Sequence, residues 1–282
     1  MRRVTGFLLL LLLGGVAANA ASQWMTLPPT PTLPKADESG YAAVNGIKIW
    51  YAEFGRGVPV ILLHGGLANS NYWGELVPAL ERHYRVIVMD SRGHGRSTRD
   101  AHPFGYDLMA SDVIGLMNHL KIQKAAIVGW SDGAILGLDI AIHHPERLIK
   151  LFAFAANSDP SGVKDVEHEP VFAAYIVRAR KEYEALSPTP HDYDAFVAQI
   201  EKMWASQPHF TADQLGAITV PTWIVDGDHD EAIKRENTLY MADHMRNACL
   251  LIQPGVSHFS VLQDPEQFNR DVEHFLERDS GC

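Results

Sequence analysis

Ala125-Ala126-Ile127-Val128-Gly129-Trp130-Ser131-Asp132-Gly133 is the stretch on which the fold turns. Its first four residues are small or β-branched and apolar, and they predict a buried strand. Gly129-Trp130-Ser131-Asp132-Gly133 then fits the pattern Gly-x-Ser-x-Gly, and helical spacing follows from Asp132 to about His144. A strand-to-helix turn this tight strains the backbone at its middle residue, so the positions two away on either side must be small. The serine hydroxyl is thereby raised at the carboxyl end of the sheet, above a helix N-terminus.

Reading outward, the same alternation recurs. Val60–Leu63, Val86–Met89, Leu148–Phe154, Thr222–Val225 and Leu250–Ile252 are short apolar runs. Between and after them, helices are predicted over Tyr72–Arg82, Leu108–Leu120, Lys234–Met245 and Pro265–Arg278. Continuous apolar strands separated by helices predict an α/β fold with a mostly parallel central sheet and helices on both faces. Upstream, Tyr41–Val44 and Ile47–Glu53 flank Asn45-Gly46, the strongest short signal for a hairpin. From residue 157 to 218 the alternation stops, and the helical stretches Val171–Leu186 and Tyr193–Ser206 predict a helical cap inserted into the core. The core is therefore read as residues 41–156 and 219–282. Residues 21–40, with the run Leu27 to Pro34, read as a Pro-rich linker outside it.

A serine nucleophile needs a base, and the base needs an orienting acid. Acid candidates Asp226, Asp228 and Asp230 follow the strand ending at Val225, and His258 follows the strand ending at Ile252. Both groups stand at carboxyl ends of successive strands, where open α/β sheets gather their ligands.

With Leu63-His64-Gly65-Gly66 and Asp90-Ser91-Arg92-Gly93-His94-Gly95-Arg96-Ser97, these features resemble the α/β-hydrolase fold family from about Tyr41 onward. The resemblance implies a triad in the chain order Ser131, Asp230, His258, because the family's Gly-x-x-Asp motif falls on Gly227 and Asp230. It implies an oxyanion hole from the backbone amides of Gly66 and Asp132, and a structural duty for the loop at residues 90–97. The elbow itself is similar to that of biphenyl-hydrolase-like and amino-acid-ester hydrolases, whose Asp after the serine can face an amino group on the substrate. Asp132 also stands where an acidic residue complements the helix dipole, and the sequence leaves both duties open. Trp130 and Phe259 flank the catalytic candidates and are read either as substrate contacts or as core.

The activity expected is hydrolysis of an ester-type bond in a small molecule through an acyl-enzyme on Ser131, with no metal and no cofactor. A lactone, an amide beside a free amino terminus, or a carbon–carbon bond would use the same triad. A ligand-binding protein with negligible turnover is the alternative outside enzymes. A serine at the elbow argues against the carboxylate-nucleophile chemistry of epoxide hydrolases and dehalogenases. The loop Asp228-His229-Asp230-Glu231 is read as the acid loop and not as a metal site.

The chain has 282 residues and a formal charge of −10 without basic runs, which argues against nucleic-acid and anionic-lipid partners. Arg2 and Arg3, the apolar run Phe7–Leu13 and the small-residue site Ala18-Asn19-Ala20 read as a secretory signal cleaved after Ala20. That apolar run is short of the roughly 20 residues a membrane span needs, so a secreted or periplasmic protein without an anchor is expected. The two cysteines are too few for a disulfide framework. Cys249 reads as a small buried hydrophobe and Cys282 as the free chain end, with their pairing, like the oligomeric state, left open.

Overall fold

In the computed structural model, which describes residues 22–278, the hairpin at Asn45-Gly46 opens the sheet. Asn45 and Gly46 have φ of 46° and 79°, the two left-handed positions that a twisted two-residue hairpin needs. Strands β1 (Glu38–Val44), β2 (Ile47–Phe54), β3 (Val58–Leu63), β4 (Tyr84–Met89), β5 (Ala125–Trp130), β6 (Leu148–Phe154), β7 (Thr222–Gly227) and β8 (Ala248–Gln253) form one sheet. Their order is β1-β2-β4-β3-β5-β6-β7-β8. β2 runs antiparallel to β1 and β4, and every other neighbouring pair is parallel. The chain leaves β3 toward β4 and returns to β5 on the other side. That reversal opens a crevice at the carboxyl ends of β3 and β5, where such sheets bind ligands.

The helices are α1 (Val77–Leu80), α2 (Tyr106–His119), α3 (Asp132–His143), α4 (Pro170–Leu186), α5 (Tyr193–Trp204), α6 (Ala212–Ala217), α7 (Arg235–His244), α8 (Ser260–Gln263) and α9 (Pro265–Glu277). α1 and α9 pack together, against β4 and β6 respectively, while α2, α3, α6 and α7 form a continuous layer in which α3 lies on β3, β5 and β6 and α7 on β7 and β8. β3 and β5 are fully covered where they meet, as their unbroken apolar runs require. Between β6 and β7 the chain forms α4, α5 and α6 and no strand. Arg92 is buried and donates to both oxygens of Asp112 at 2.8 Å, so the loop at residues 90–97 is braced from inside the core.

Three expectations are corrected. The helix predicted over Tyr72–Arg82 is broken into a 3₁₀ turn, Ser70–Trp73, and the short α1. Pro78 lacks the amide, and its ring excludes the carbonyl four residues back, so the helix starts afresh beside it. The segment read as a linker is extended but docked: Leu27, Leu33 and Ala36 pack on the core. Its polar backbone is also held, since Arg178 donates to the Leu27 and Pro28 carbonyls and Gln263 to those of Trp24 and Thr26. Composition predicted its conformation; its seat depends on partners far away in sequence. Finally, Cys249 is half-buried on β8 and disulfide-bonded, not a free buried thiol. The chain's other cysteine, Cys282, and the expected signal segment with its cleavage site at Ala20 lie outside the described residues. No helix among the described residues is long and apolar enough to cross a membrane.

Candidate active site

Ser131 sits between β5 and α3 with φ 54° and ψ −120°, a strained backbone held by the hydrogen bond that its amide donates to the Phe154 carbonyl at 2.8 Å. The glycines two positions away leave no room for a side chain. A Cβ on Gly129 would stand 2.4 Å from the Gly133 carbonyl oxygen, and one on Gly133 would stand 2.0 Å from that of Leu63. The elbow therefore packs directly under the loop that follows β3. Ser131 remains half-buried and lines a cavity of about 410 Å³.

That loop carries His64, Gly65 and Gly66. The buried His64 accepts the Ser91 amide on Nε2 at 3.0 Å, so its Nδ1 bears the proton and donates to the Gly65 carbonyl at 2.7 Å. Burial lowers the His64 pKa, which keeps this ring neutral. Gly66 lines the cavity beside Ser131. A Cβ there would lie 2.4 Å from Cζ2 of Trp204 and 2.6 Å from an Asp132 carboxylate oxygen, so no side chain fits. Asp132 is the first residue of α3, and first-turn amides have no acceptor within their helix. Asp132, like Gly66, lines the cavity around the serine.

β7 and β8 are neighbours, so the loops after them meet. Asp230 Oδ2 lies 2.8 Å from His258 Nδ1, with both side chains buried. The other Asp230 oxygen accepts the amides of Ala232 and Ile233, each at 2.7 Å. Burial alone would raise the Asp230 pKa, but His258, a hydrogen bond from Asp226 and the Ile233 amide together hold it below the usual carboxylate value. Burial likewise disfavours the His258 imidazolium, yet Asp230, Glu231 and Asp132 outweigh it and raise that pKa. His258 faces the same cavity as Ser131.

The other two acid candidates point elsewhere. Asp228 accepts the Gly255 amide at 2.8 Å and braces the base loop. Asp226 is fully buried behind Asp230, accepting from the Thr238 hydroxyl at 2.7 Å. His229 stacks on Trp24 with ring centroids 4.4 Å apart, so the loop read as the acid loop spreads its side chains in different directions.

Asp132 places its carboxylate in the cavity wall, where it accepts from the Tyr106 hydroxyl at 2.8 Å and from the Trp204 indole at 3.0 Å. Burial raises its pKa. It thus ties the cap helix α5 to the core through Trp204, a duty neither sequence reading foresaw. Trp130 serves as both wall and core: it lines the cavity and is 1% exposed. Of its two readings, Phe259 takes that of core. It is fully buried and lies under the cavity, its ring 5.8 Å from that of Trp130 and 4.9 Å from that of Tyr175.

Four residues have roles at the site that the sequence reading did not assign. Glu231 accepts the His258 amide at 3.1 Å, Tyr175 donates to the Gly66 carbonyl at 2.5 Å, and Trp204 and Tyr106 hold Asp132. Glu231 follows the acid directly and was within reach of inspection. The other three come from α4, α5 and α2, and no motif links them to the elbow.

A family model described as the alpha/beta hydrolase fold matches residues 58–185. The chain is 27% identical to "Serine hydrolase BPHL" of Mus musculus, covering 88% of this chain and 90% of the relative. It is 25% identical to "3-oxoadipate enol-lactonase 2" of Acinetobacter baylyi, over 81% of this chain and 92% of that protein. A solved meta-cleavage product hydrolase from Pseudomonas fluorescens IP01 superposes with a TM-score of 0.74 at 23% identity. The superposition covers 86% of this chain and 97% of that one.

Proposed function

We propose that this chain, which belongs to the α/β-hydrolase fold family, is a serine hydrolase that cleaves an ester-type bond of a small molecule. One observation carries the reading. Ser131, strained at its elbow, opens onto the same cavity as His258, and His258 is held by Asp230 at 2.8 Å.

His258 takes the proton of Ser131 through Nε2, because Nδ1 is engaged with Asp230. The serine oxygen attacks the substrate carbonyl carbon. The negative charge that develops on the carbonyl oxygen is met by the amides of Gly66 and Asp132, each such donor contributing about 10²–10³ in rate. Imidazolium then gives its proton to the leaving oxygen, the carbon–oxygen bond breaks, and an acyl-enzyme remains. A water, deprotonated by His258, hydrolyses the acyl-enzyme and returns the hydroxyl to Ser131. Asp230 fixes the imidazole tautomer and stabilises its charged form throughout.

The substrate must suit a cavity walled mostly by aromatic and aliphatic side chains, Trp130, Phe172, Tyr175 and Val166 among them. Relatives named for lactone and dienoic acid hydrolysis support a second reading, in which the same residues open a lactone or cleave a carbon–carbon bond. An amine-bearing substrate is less favoured, because Asp132 already accepts from Tyr106 and Trp204. Export is part of the proposal: the disulfide at Cys249 supports an oxidising compartment. N-terminal sequencing of the secreted protein, expected to begin at Ala21, tests it.

The deciding experiment is hydrolysis of a chain-length series of p-nitrophenyl esters, alongside lactones, by residues 21–282 and by Ser131→Ala. Turnover lost in the mutant supports the serine mechanism, and the preferred series assigns the bond. Activity that survives Ser131→Ala would refute it.

A further inference from the structure

α4 stands between the N-terminal strap and the loop after β3, and one stripe of its side chains touches both. Tyr175, Arg178 and Glu182 recur at three- and four-residue spacing and share a face of the helix. Arg178 donates from Nη1 to the Pro28 carbonyl at 2.6 Å and from Nη2 to the Leu27 carbonyl at 2.8 Å. Glu182 accepts the Thr30 hydroxyl at 2.5 Å and the Asn69 side-chain amide at 3.0 Å. About two turns before Glu182, Tyr175 donates to the Gly66 carbonyl. The strap is fastened at its beginning too. Gln263 donates to the Trp24 and Thr26 carbonyls and to the Ser257 hydroxyl, while its own oxygen accepts the Ser257 amide at 2.7 Å. The strap thus joins the cap helix to the loop that carries His258.

Backbone strain gives these contacts a consequence. The Ala68 amide donates to the Gly65 carbonyl at 3.2 Å, so Gly66 and Leu67 are the central residues of a turn. Leu67 has φ 62°, the left-handed value that a type II turn demands in its third position and that leucine resists. Flipping the Gly66–Leu67 peptide would relax Leu67 into a type I turn. The flip would also reverse the Gly66 carbonyl, and the buried Tyr175 hydroxyl is the group that holds this carbonyl. A strained conformation persists where its surroundings over-determine it. Here they do so beside the nucleophile: a Cβ on Gly65 would lie 3.2 Å from that of Ser131.

We propose that Tyr175 and Arg178 are positioning residues for the chemistry at Ser131. The strap fixes α4, α4 fixes Tyr175, and Tyr175 anchors Gly66 through its carbonyl, so the turn keeps its shape and the Gly66 amide, in the preceding peptide, keeps its place beside Ser131. The proposal rests on the serine hydrolase reading for its catalytic consequence, while the mechanical coupling stands apart from it. The strap begins directly after the expected cleavage site, so the N-terminus of the processed chain would belong to the machinery of the site.

The test compares residues 21–282 as wild type, Tyr175→Phe, Arg178→Ala and Arg178→Lys, by hydrogen exchange and by steady-state kinetics on the best ester. Tyr175→Phe removes one oxygen and keeps the ring, so folding is not at stake. Exchange in the segment 64–70 is expected to quicken by about tenfold in Tyr175→Phe and in Arg178→Ala, with β5 unchanged. Arg178→Lys, which can still reach one carbonyl, restores part of the protection. kcat should fall by about tenfold at nearly constant KM, since the lost interaction is made in the transition state. The two lesions combined should cost little more than either alone, because they lie on one line of force. Unchanged exchange at 64–70 in Arg178→Ala would overturn the coupling, as would loosening spread evenly over the sheet. If wild type hydrolyses nothing that Ser131→Ala does not, the hydrolase reading fails, and the exchange data still decide the coupling.

Discussion

The indole of Trp130 donates to the His258 carbonyl at 2.8 Å, so the residue before the candidate nucleophile carries the backbone of the candidate base. The bond runs from the last residue of β5 to the loop after β8, strands separated in the sheet by β6 and β7. Ser131 and His258 are thereby kept in register by a group that takes no part in proton transfer. Trp130→Phe keeps most of the ring and leaves that buried carbonyl unpaired, a loss of about 1–3 kcal/mol. Thermal unfolding should show that loss as a lower Tm, and kcat should fall more than KM rises.

The pH dependence follows from the His258 environment. Burial works against its charged form, but Asp230, Glu231 and Asp132 prevail and raise its pKa above the ordinary value of about 6.5. A base must be neutral to accept a proton, so kcat/KM should climb with pH through a midpoint above that value. The effect on stability has the opposite sense. A raised folded-state pKa gives stability that is complete below the unfolded value and is lost as pH rises through the folded one. A pH–rate profile whose acid limb lies at or below the ordinary imidazole value would contradict this assignment of the base.

Asp226 supplies a separate prediction. Burial first, and the neighbouring Asp230 charge second, push its carboxyl pKa well above the usual range. Its protonated form is thereby favoured, and the hydrogen bond that it gives Asp230 helps to lower that group's pKa. Asp226→Asn exchanges one neutral donor for another and should leave the acid limb of the profile where wild type has it. Were Asp226 ionised, removing its charge would carry that limb to lower pH. Asp226→Leu, which cannot donate, should lower kcat by about tenfold, the worth of one hydrogen bond to a charged group at about 1.5 kcal/mol.

Gly66→Ala tests the crowding above the nucleophile. The new methyl would stand 2.4 Å from Trp204 and 2.6 Å from the Asp132 carboxylate. Overpacking of this kind costs about 1–3 kcal/mol. The clash should be relieved by displacing Trp204, so Gly66→Ala with Trp204→Phe should not recover activity, because the indole bond to Asp132 is then gone too. Tryptophan fluorescence and ester turnover on the single and double variants check this.

Local rules made much of this protein legible before any coordinates. The elbow Gly129 to Gly133, the hairpin at Asn45-Gly46 and the strands that carry Ser131, Asp230 and His258 each follow from short-range chemistry. Steric exclusion fixes the glycines, left-handed backbone fixes the turn, and burial on both faces fixes the apolar runs. The cap was legible as an interruption in that alternation. What it does was not. Tyr175 on Gly66, Trp204 on Asp132 and Arg178 on the strap are contacts across about 70 to 150 positions. No periodicity encodes such pairs, because each is set by how separate elements dock. The same limit applies to the Pro-rich segment, whose extended backbone was foreseeable from its prolines. That it straps the cap to the base loop depended on Arg178, Glu182 and Gln263 arriving beside it, and only tertiary structure brings them there.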